Sequence, residues 1–295
     1  MCAPAAPPTW PACAPRWTLQ SIDGVAVAQA VDALFGDVVD APTPAQQAYA
    51  ATVLANGRRV GTRRLTFDTP AGPRALDLDN PRAPDPAPRD PVSVTVSDGV
   101  CHLRFANSLG QRETIAAFDA AMTTCRDQPG VVLDLRDTPS GGNTDVARAI
   151  IGHFVAEPRP YQVHTIPAVA RSTTVPRRFV EYVMPRGPAP YAGRVAALGS
   201  RWTGSMGEGI VIGLHAAAGA RTFASDLGDL RGALHTFPLE RSGLTLELGA
   251  EALFHVDGTP RERYVADVPI DPADRGPDGG DPALSAARAW LSSTP

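Results

Sequence analysis

The residues best suited to chemistry are Ser205 and its small and acidic neighbours, in the run Thr-Gly-Ser-Met-Gly-Glu-Gly at 203–209. This run joins a predicted strand to a predicted helix, so the Ser205 hydroxyl should lie near exposed helix N–H groups, which stabilise an alkoxide or an oxyanion. Small neighbours allow a substrate carbonyl to approach closely. An ordinary serine N-cap beside flexible glycines accounts for the same run without catalysis. The G-x-S-x-G pattern of the α/β-hydrolases is not present.

A second group of polar residues follows a predicted buried strand, and it consists of Asp134, Arg136, Asp137, Ser140, Gly141 and Gly142. The carboxyl end of a strand is where α/β proteins commonly build their sites. Consecutive glycines can present backbone N–H groups to an anion, although a tight strand-to-helix loop needs no such role. The G-x-x-x-x-G-K pattern is missing, so a phosphate-binding loop is disfavoured.

The composition of the 295 residues is that of a globular protein, with 43% hydrophobic and 20% charged residues. All 27 basic residues are arginine, so no lysine can serve as a neutral amine base. The net charge of −4 disfavours nucleic acid as a main partner. No apolar run approaches the roughly 18 residues of a membrane span.

The four cysteines, Cys2, Cys13, Cys101 and Cys125, form no C-x-x-C pair, which disfavours a zinc ribbon or a thioredoxin-like site. Buried or free thiols are favoured over a disulfide, and no cofactor or metal-ligand set is predicted. The first 20 residues have neither a basic start nor an apolar segment, so they do not read as a signal peptide. Their proline-rich composition leads us to expect that the chain begins inside a longer ancestral domain.

Sequence patterns divide the chain into a small module of mixed α and β structure at 1–80, a proline-rich linker at 81–91 and a larger α/β core at 92–295. In the module we predict a strand and a helix within 17–36, a helix at 44–54 and strands at 63–69 and 74–79. In the core we predict a hairpin around Asp98 and Gly99, helices at 112–125, 144–155 and 283–291, a buried strand at 131–136, a strand-helix unit within 194–219 and strands at 223–226, 234–239, 244–249 and 252–258. Alternating strands and helices indicate an α/β core.

Two segments in the right order give the chain its resemblance to a known family. DLRDTPSGGNTDVARAIIGHFV is similar to the D-L-R-x-N-P-G-G segment of the C-terminal processing (tail-specific) peptidases and their tricorn-core relatives. RVAALGSRWTGSMGEGIVIGLHAAAGA resembles the nucleophile segment of the same family, in which a glutamate follows the serine by three residues. WTLQSIDGVAVAQAVDALFG is similar to the later half of a PDZ module. The resemblance implies a ClpP/crotonase-like α/β core preceded by a partial PDZ-like α+β module.

By position, the resemblance makes Ser205 the acylating nucleophile, with Glu208 as the glutamate that follows it. The N–H groups of Met206 and of Gly141 or Gly142 would form the oxyanion hole. The substrate would be a peptide or protein. Because the start of the PDZ-like module is not seen, peptide capture by residues 1–80 is expected to be weak or absent.

The chain departs from these relatives at the catalytic base. Leu230 or Arg231 stands where tail-specific peptidases have their lysine. Tricorn-type relatives use histidine with a glutamate, and Glu262 stands where that glutamate is expected. Among the histidines, His235 and His255 are the better candidates for the base.

The remaining histidines that lie on predicted elements, His102, His153 and His215, are more typical of structural residues. Three functions therefore remain open: a serine peptidase with a tricorn-like rather than a Ser-Lys mechanism, a non-catalytic binding or scaffold member of the same fold, and, ranked last, an unrelated hydrolase using Ser205, Asp226 and His255. Relatives are often exported, but the sequence leaves the compartment and the oligomeric state open.

Overall fold

The computed structural model describes residues 17–57, 61–80, 89–270 and 280–293. The chain divides into two compact units, Met1–Pro88 and Arg89–Pro295. The expectations about the first 16 residues, and most of the predicted linker, lie outside the described residues.

The first unit is built around a small antiparallel sheet. Its elements are β1 (Thr18–Ile22), β2 (Val25–Ala26), α1 (Val27–Phe35), α2 (Pro44–Asn56), β3 (Gly61–Asp68) and β4 (Arg74–Asn80). The strands pair in the order β2-β1-β3-β4, and Ile22, Leu65 and Phe67 form the apolar cluster of the unit. α2 begins with a capping box, in which Thr43 and Gln46 exchange side-chain and backbone hydrogen bonds of 2.8 and 3.3 Å. That this unit is PDZ-like stays a prediction.

The second unit holds the remaining described elements. They are β5 (Val92–Ser97), β6 (Val100–Phe105), α3 (Glu113–Cys125), β7 (Gly130–Asp134), α4 (Thr144–Ile151), β8 (Arg159–Thr165), α5 (Pro167–Thr173), β9 (Arg178–Val183), β10 (Arg194–Gly199), α6 (Met206–Ala218), β11 (Arg221–Ala224), β12 (Gly232–Leu239), β13 (Leu244–Phe254), β14 (Val268–Pro269) and α7 (Pro282–Ser292), with short 3-10 turns at Gly152–Phe154 and Arg261–Arg263.

A six-stranded sheet forms the centre of this unit, in the order β14-β11-β10-β7-β6-β5. All its pairings are parallel except that of the β5–β6 hairpin. Residues of α3, α4 and α6 form the apolar core on one face, and α7 packs on the other. Burial on both faces explains why β7 is uniformly apolar up to its last residue. The predicted α/β fold class is confirmed.

A second, four-stranded antiparallel sheet has the order β12-β13-β8-β9. β8, α5 and β9 were not predicted, because residues 156–193 carry seven prolines and many polar residues, and these obscure any regular period. β13 is also one continuous strand rather than the two that were predicted.

Cys101 and Cys125 form a disulfide, with Cα atoms 5.5 Å apart. The bond joins β6 to the last residue of α3, and both cysteines are fully buried. The preference for thiols was therefore wrong for these two residues. Cysteine spacing alone could not reveal the pair, since the contact depends on how α3 packs against the sheet.

Among the described residues, no helix combines the length and the apolar character needed to cross a membrane. Nor do they place three or more His, Cys, Asp or Glu side chains as a group that could hold a metal ion.

Candidate active site

Ser205 lies between β10 and α6, at the carboxyl edge of the parallel sheet, in a strained turn. Its φ of 51° and ψ of −112° place a non-glycine residue where side chains are rarely found. Such a conformation costs about 1–3 kcal/mol and persists only where its surroundings impose it. Ser205 is half-buried, so its hydroxyl is held at the surface of the site. Apart from the neighbouring glycines, no sequence pattern indicated this strain.

The loop that carries Ser205 is tied to the loop that follows β7. Thr138 and Thr203 form an isolated parallel bridge, and the Gly204 N–H donates to the Thr138 carbonyl at 3.2 Å. The Thr203 hydroxyl donates to the Leu135 carbonyl at 3.0 Å. Neighbouring parallel strands thus bring together the two motifs that the sequence singled out.

Gly141 is pressed directly against the serine. A Cβ at this position would lie 2.4 Å from Ser205 Cβ and 2.9 Å from both Ser205 Oγ and the Met206 nitrogen, and the φ of Gly141 is +65°. Only glycine fits such a close approach in this backbone conformation. The Gly141 N–H already donates to the Thr138 carbonyl at 3.1 Å.

The next glycine, Gly142, packs against Leu109, whose carbonyl group would lie 2.1 Å from an added Cβ. Within the described residues, neither the Gly142 N–H nor the Met206 N–H donates a hydrogen bond. Of the two glycines expected at the oxyanion hole, Gly142 is therefore the one whose backbone N–H is available to donate to a substrate. Its pairing with Met206 stays a prediction.

Glu208 is fully buried one turn into α6. Its Oε2 accepts from the Ser205 N–H at 2.7 Å, and its Oε1 accepts from the Leu230 N–H at 3.2 Å. Burial raises the pKa of Glu208 to about 7, although the Arg261 charge and the two N–H groups act to lower it. A glutamate with this pKa changes its charge near neutral pH, directly behind the candidate nucleophile.

Leu230, one of the two residues that the resemblance matches to the relatives' lysine, lies beside Glu208. The Gly228 N–H in the same loop donates to the Thr203 carbonyl at 3.0 Å. The Leu230 carbonyl accepts from Nε and Nη2 of Arg261 at 3.4 and 3.2 Å. Arg231, the alternative match, is exposed.

Arg261 is the site residue that sequence reasoning missed. It is buried, and its Nη2 lies 3.8 Å from Glu208 Oε2. Because arginine is almost always exposed, nothing in the sequence distinguished Arg261 from the 26 other arginines.

Glu262 follows Arg261 in the same 3-10 turn and is half-buried. Among the described residues it forms no hydrogen bond or ion pair with a histidine. Its charge, together with that of Asp226, adds to burial in raising the pKa of Asp229. The structure thus places several carboxyl groups around the loop that holds Leu230.

The two candidate histidines bind other partners. His235 Nε2 lies 2.8 Å from Glu251 Oε1, in the four-stranded sheet. His255 Nδ1 lies 3.2 Å from Asp257 Oδ1, and its ring packs 5.9 Å from that of His215, which is ten residues, or roughly 15 Å of helix, beyond Ser205. No described histidine hydrogen-bonds Ser205, so the structure does not bring His235 or His255 to the nucleophile, and His255 does not pair with Asp226.

The polar residues at the end of β7 form a buried network of their own. Arg136 donates to both oxygens of Asp134, at 2.8 and 2.6 Å, and to both oxygens of Asp281, at 2.7 and 2.8 Å. His102 Nε2 lies 3.1 Å from Asp134 Oδ2. These partners hold the pKa of Asp134 far below its ordinary value, against the effect of burial. The network joins β6 and β7 to the N-terminus of α7.

Comparison with solved structures identifies the fold. The photosystem II D1 C-terminal processing protease matches 93% of this chain and 67% of its own, with 16% identity and a TM-score of 0.57. Mature CPAF matches 92% of this chain and 74% of its own, with 13% identity and a TM-score of 0.61. A lipoprotein from Streptococcus agalactiae matches 68% and 69%, with 14% identity and a TM-score of 0.50. No protein-family model matches the sequence, and no curated protein does. The chain has the fold of the C-terminal processing peptidases, as its motifs predicted.

Proposed function

We propose that the protein is a serine-type peptidase that cleaves peptide bonds through an acyl-enzyme on Ser205. The observation that carries the proposal is the strained Ser205 turn, which holds the hydroxyl against Gly141. Beside it lie the N–H groups of Met206 and Gly142, which donate no hydrogen bond within the described residues. Acyl transfer by serine needs such donors where the oxyanion develops. The shared fold with processing peptidases supports the choice of a peptide substrate.

In the proposed reaction, Ser205 Oγ attacks the scissile carbonyl and its proton leaves to a base. The C–N bond then breaks, the amine takes the proton, and water hydrolyses the ester. A Ser-Lys mechanism is excluded, since the chain has no lysine. The tricorn-like alternative needs a histidine, and no described histidine bonds to Ser205.

We assign Glu208 as the base that accepts the proton of the Ser205 hydroxyl. It is the titratable side chain bonded to the Ser205 backbone, and its pKa of about 7 suits a base at neutral pH. Catalytic hydrogen bonds are often not formed before substrate binds, so transfer after a rotation of the Ser205 side chain, or through one water, is compatible with this geometry. Glu262, with Asp229, would add negative charge that keeps the proton near the site.

The test is cleavage of an unfolded polypeptide, with new termini identified by mass spectrometry. Ser205→Ala should lower the rate by about a thousandfold or more, while Ser242→Ala, in the exposed β12–β13 turn, should leave it unchanged. Cleavage that Ser205→Ala does not slow would contradict the proposal.

A second candidate function is a non-catalytic binding or scaffold protein. Two points favour it: by resemblance, Leu230 or Arg231 takes the place of the tail-specific peptidases' lysine, and both Glu208 oxygens are bonded to backbone N–H groups. The bond to the Ser205 N–H is that of a capping box, which forms without catalysis. Binding of the unfolded polypeptide by both the wild type and Ser205→Ala, with cleavage by neither, would support this function instead.

A further inference from the structure

We infer that Arg261 is a positioning residue for Ser205, whose buried guanidinium holds the Glu208 carboxylate and the Leu230 carbonyl together behind the Ser205 turn. This inference rests on the proposed function, because Arg261 acts through the group assigned to receive the Ser205 proton. Neither the family resemblance nor the motifs pointed to Arg261.

The geometry makes Arg261 and Glu208 one unit. Their side chains are only 3% and 1% exposed, and Nη2 lies 3.8 Å from Oε2. The same guanidinium donates twice to the Leu230 carbonyl, while Glu208 accepts from the Leu230 N–H. The backbone N–H and the carbonyl of Leu230 are therefore both hydrogen-bonded to the pair. Removing either charge would leave the other buried and uncompensated.

Other charged groups around the pair are mostly acidic. Asp229 acts to raise the pKa of Glu208, and Asp229 is itself repelled by Asp226 and Glu262. Tyr161 and Glu262 act to raise the pKa of Arg261. Within the described residues, Arg261 is the cation that faces Glu208, and its charge, together with the Ser205 and Leu230 N–H groups, favours the ionised form that can accept a proton.

Within the described part of the chain, Arg261 leaves one of its buried donors without a hydrogen bond, so stability alone does not explain an arginine at this position. Its Nη1 is buried without a partner among the residues that the structure describes, as is Oε1 of the nearby Gln162. Both atoms lie beside Gly209, 3.7 and 3.5 Å from the position of an added Cβ. An unsatisfied buried donor costs stability, and an apolar residue would avoid that cost. Control of the charge on Glu208 gives a reason for an arginine at this position.

Three substitutions separate charge from hydrogen bonding. Arg261→Met removes both, Arg261→Gln keeps a donor for the Leu230 carbonyl, and Arg261→Lys keeps the charge. Arg263→Met, at the exposed arginine of the same turn, is the matched control. Folding of each variant is checked by circular dichroism, and Arg261→Gln replaces Arg261→Met if the latter does not fold.

The first readout is the titration of Glu208 by 13C NMR in the full chain carrying Ser205→Ala, with the signal assigned by its loss in Glu208→Gln. Loss of a cation within 4–6 Å should raise the midpoint by roughly one to three pH units in Arg261→Met and Arg261→Gln. Arg261→Lys and Arg263→Met should stay within about one unit of the parent. An unchanged midpoint in both uncharged variants would overturn the inference, whether or not Ser205 is reactive.

The second readout is the pH dependence of cleavage by the enzyme with Ser205 intact. The midpoint of its acid limb should rise in the uncharged variants by the same interval as the Glu208 titration. At pH 7 their rates should fall about fivefold or more, and the deficit should shrink at higher pH. A loss that is equal at every pH, and that Arg261→Lys shares, would mean that Arg261 has only a structural role. If no variant and no wild type cleaves, the proposed function fails, and the NMR titration still decides on the pair.

Discussion

At the scale of single residues, the site depends on which side chains are absent as much as on which are present. Gly141 leaves room for the Ser205 side chain, and a Cβ there would overlap it at 2.4 Å. Gly219, at the end of α6, has the same φ of +65° but nothing within 4 Å of an added Cβ. The two glycines therefore share a backbone conformation and differ in their surroundings.

This contrast allows backbone strain to be separated from obstruction of the site. Gly219→Ala should cost about 1–2 kcal/mol of unfolding free energy, with cleavage unchanged. Gly141→Ala should cost at least as much and also lower cleavage by about a hundredfold or more, because the added methyl displaces Ser205. Chemical denaturation and the cleavage rate measure the two effects. Equal cleavage by both variants would mean that Gly141 is not part of the site.

Sequence reasoning singled out Ser205, Glu208 and the glycines as candidates, because each stands in a recognisable local pattern, and the structure brings them together. It did not find Arg261, since the burial of an arginine depends on a distant carboxylate and on a loop that closes over it. It also favoured His235 and His255, because position in the chain does not reveal which partner a side chain contacts.

At the scale of elements, the parallel strands β7, β10 and β11 were predictable from their apolar runs and the β5–β6 hairpin from its Asp-Gly turn, where Asp98 and Gly99 both have positive φ. The two-residue strand β14 was not predicted. The four-stranded sheet was not predicted in full, because β8 and β9 carry polar side chains where a core strand is expected to be apolar. Those side chains pair with one another across the sheet.

The pairing runs across all four strands, from His235 to Glu251, His164 and Glu181. Both ring nitrogens of the buried His164 contact a carboxylate, at 2.6 Å to Glu251 and 3.1 Å to Glu181. These carboxylates raise the pKa of His164, against the effect of burial. They are held below their own ordinary pKa values, that of Glu181 at about 2.

The charged His164 should therefore stabilise the sheet in a defined pH window. A folded-state pKa above the unfolded value means that this stabilisation is complete below about pH 6.5 and is lost as pH rises through the folded pKa. At pH 6, His164→Gln should lower the unfolding free energy by about 1.5–3 kcal/mol, and the deficit should shrink toward pH 9. Denaturant unfolding at both pH values measures this difference.

His153 supplies a control of opposite sign, because burial lowers its pKa despite its contact with Asp119. Its neutral form is favoured in the folded state, so its contribution is present above about pH 6.5 and is lost as pH falls. A deficit in His164→Gln that is equal at pH 6 and pH 9 would contradict the charged state assigned to His164.

At the scale of the whole molecule, the α/β unit places the end of β7, the end of β10 and the Arg261 turn at one place, although more than 120 residues of chain separate the first from the last. The disulfide between β6 and α3 fixes the packing of the helix nearest the β5–β6 edge. This unit shares its fold with solved structures of processing peptidases.

The most direct measurement is to map the covalent adduct formed by a fluorophosphonate on the intact protein. Trypsin should release residues 202–221 as one peptide, in which Ser205 is the one serine. The adduct should lie on this peptide at Ser205, be lost in Ser205→Ala, and form faster as pH rises through about 7, where Glu208 ionises. An adduct on another residue, or no adduct from a folded wild-type protein at pH 8, would contradict a nucleophilic Ser205.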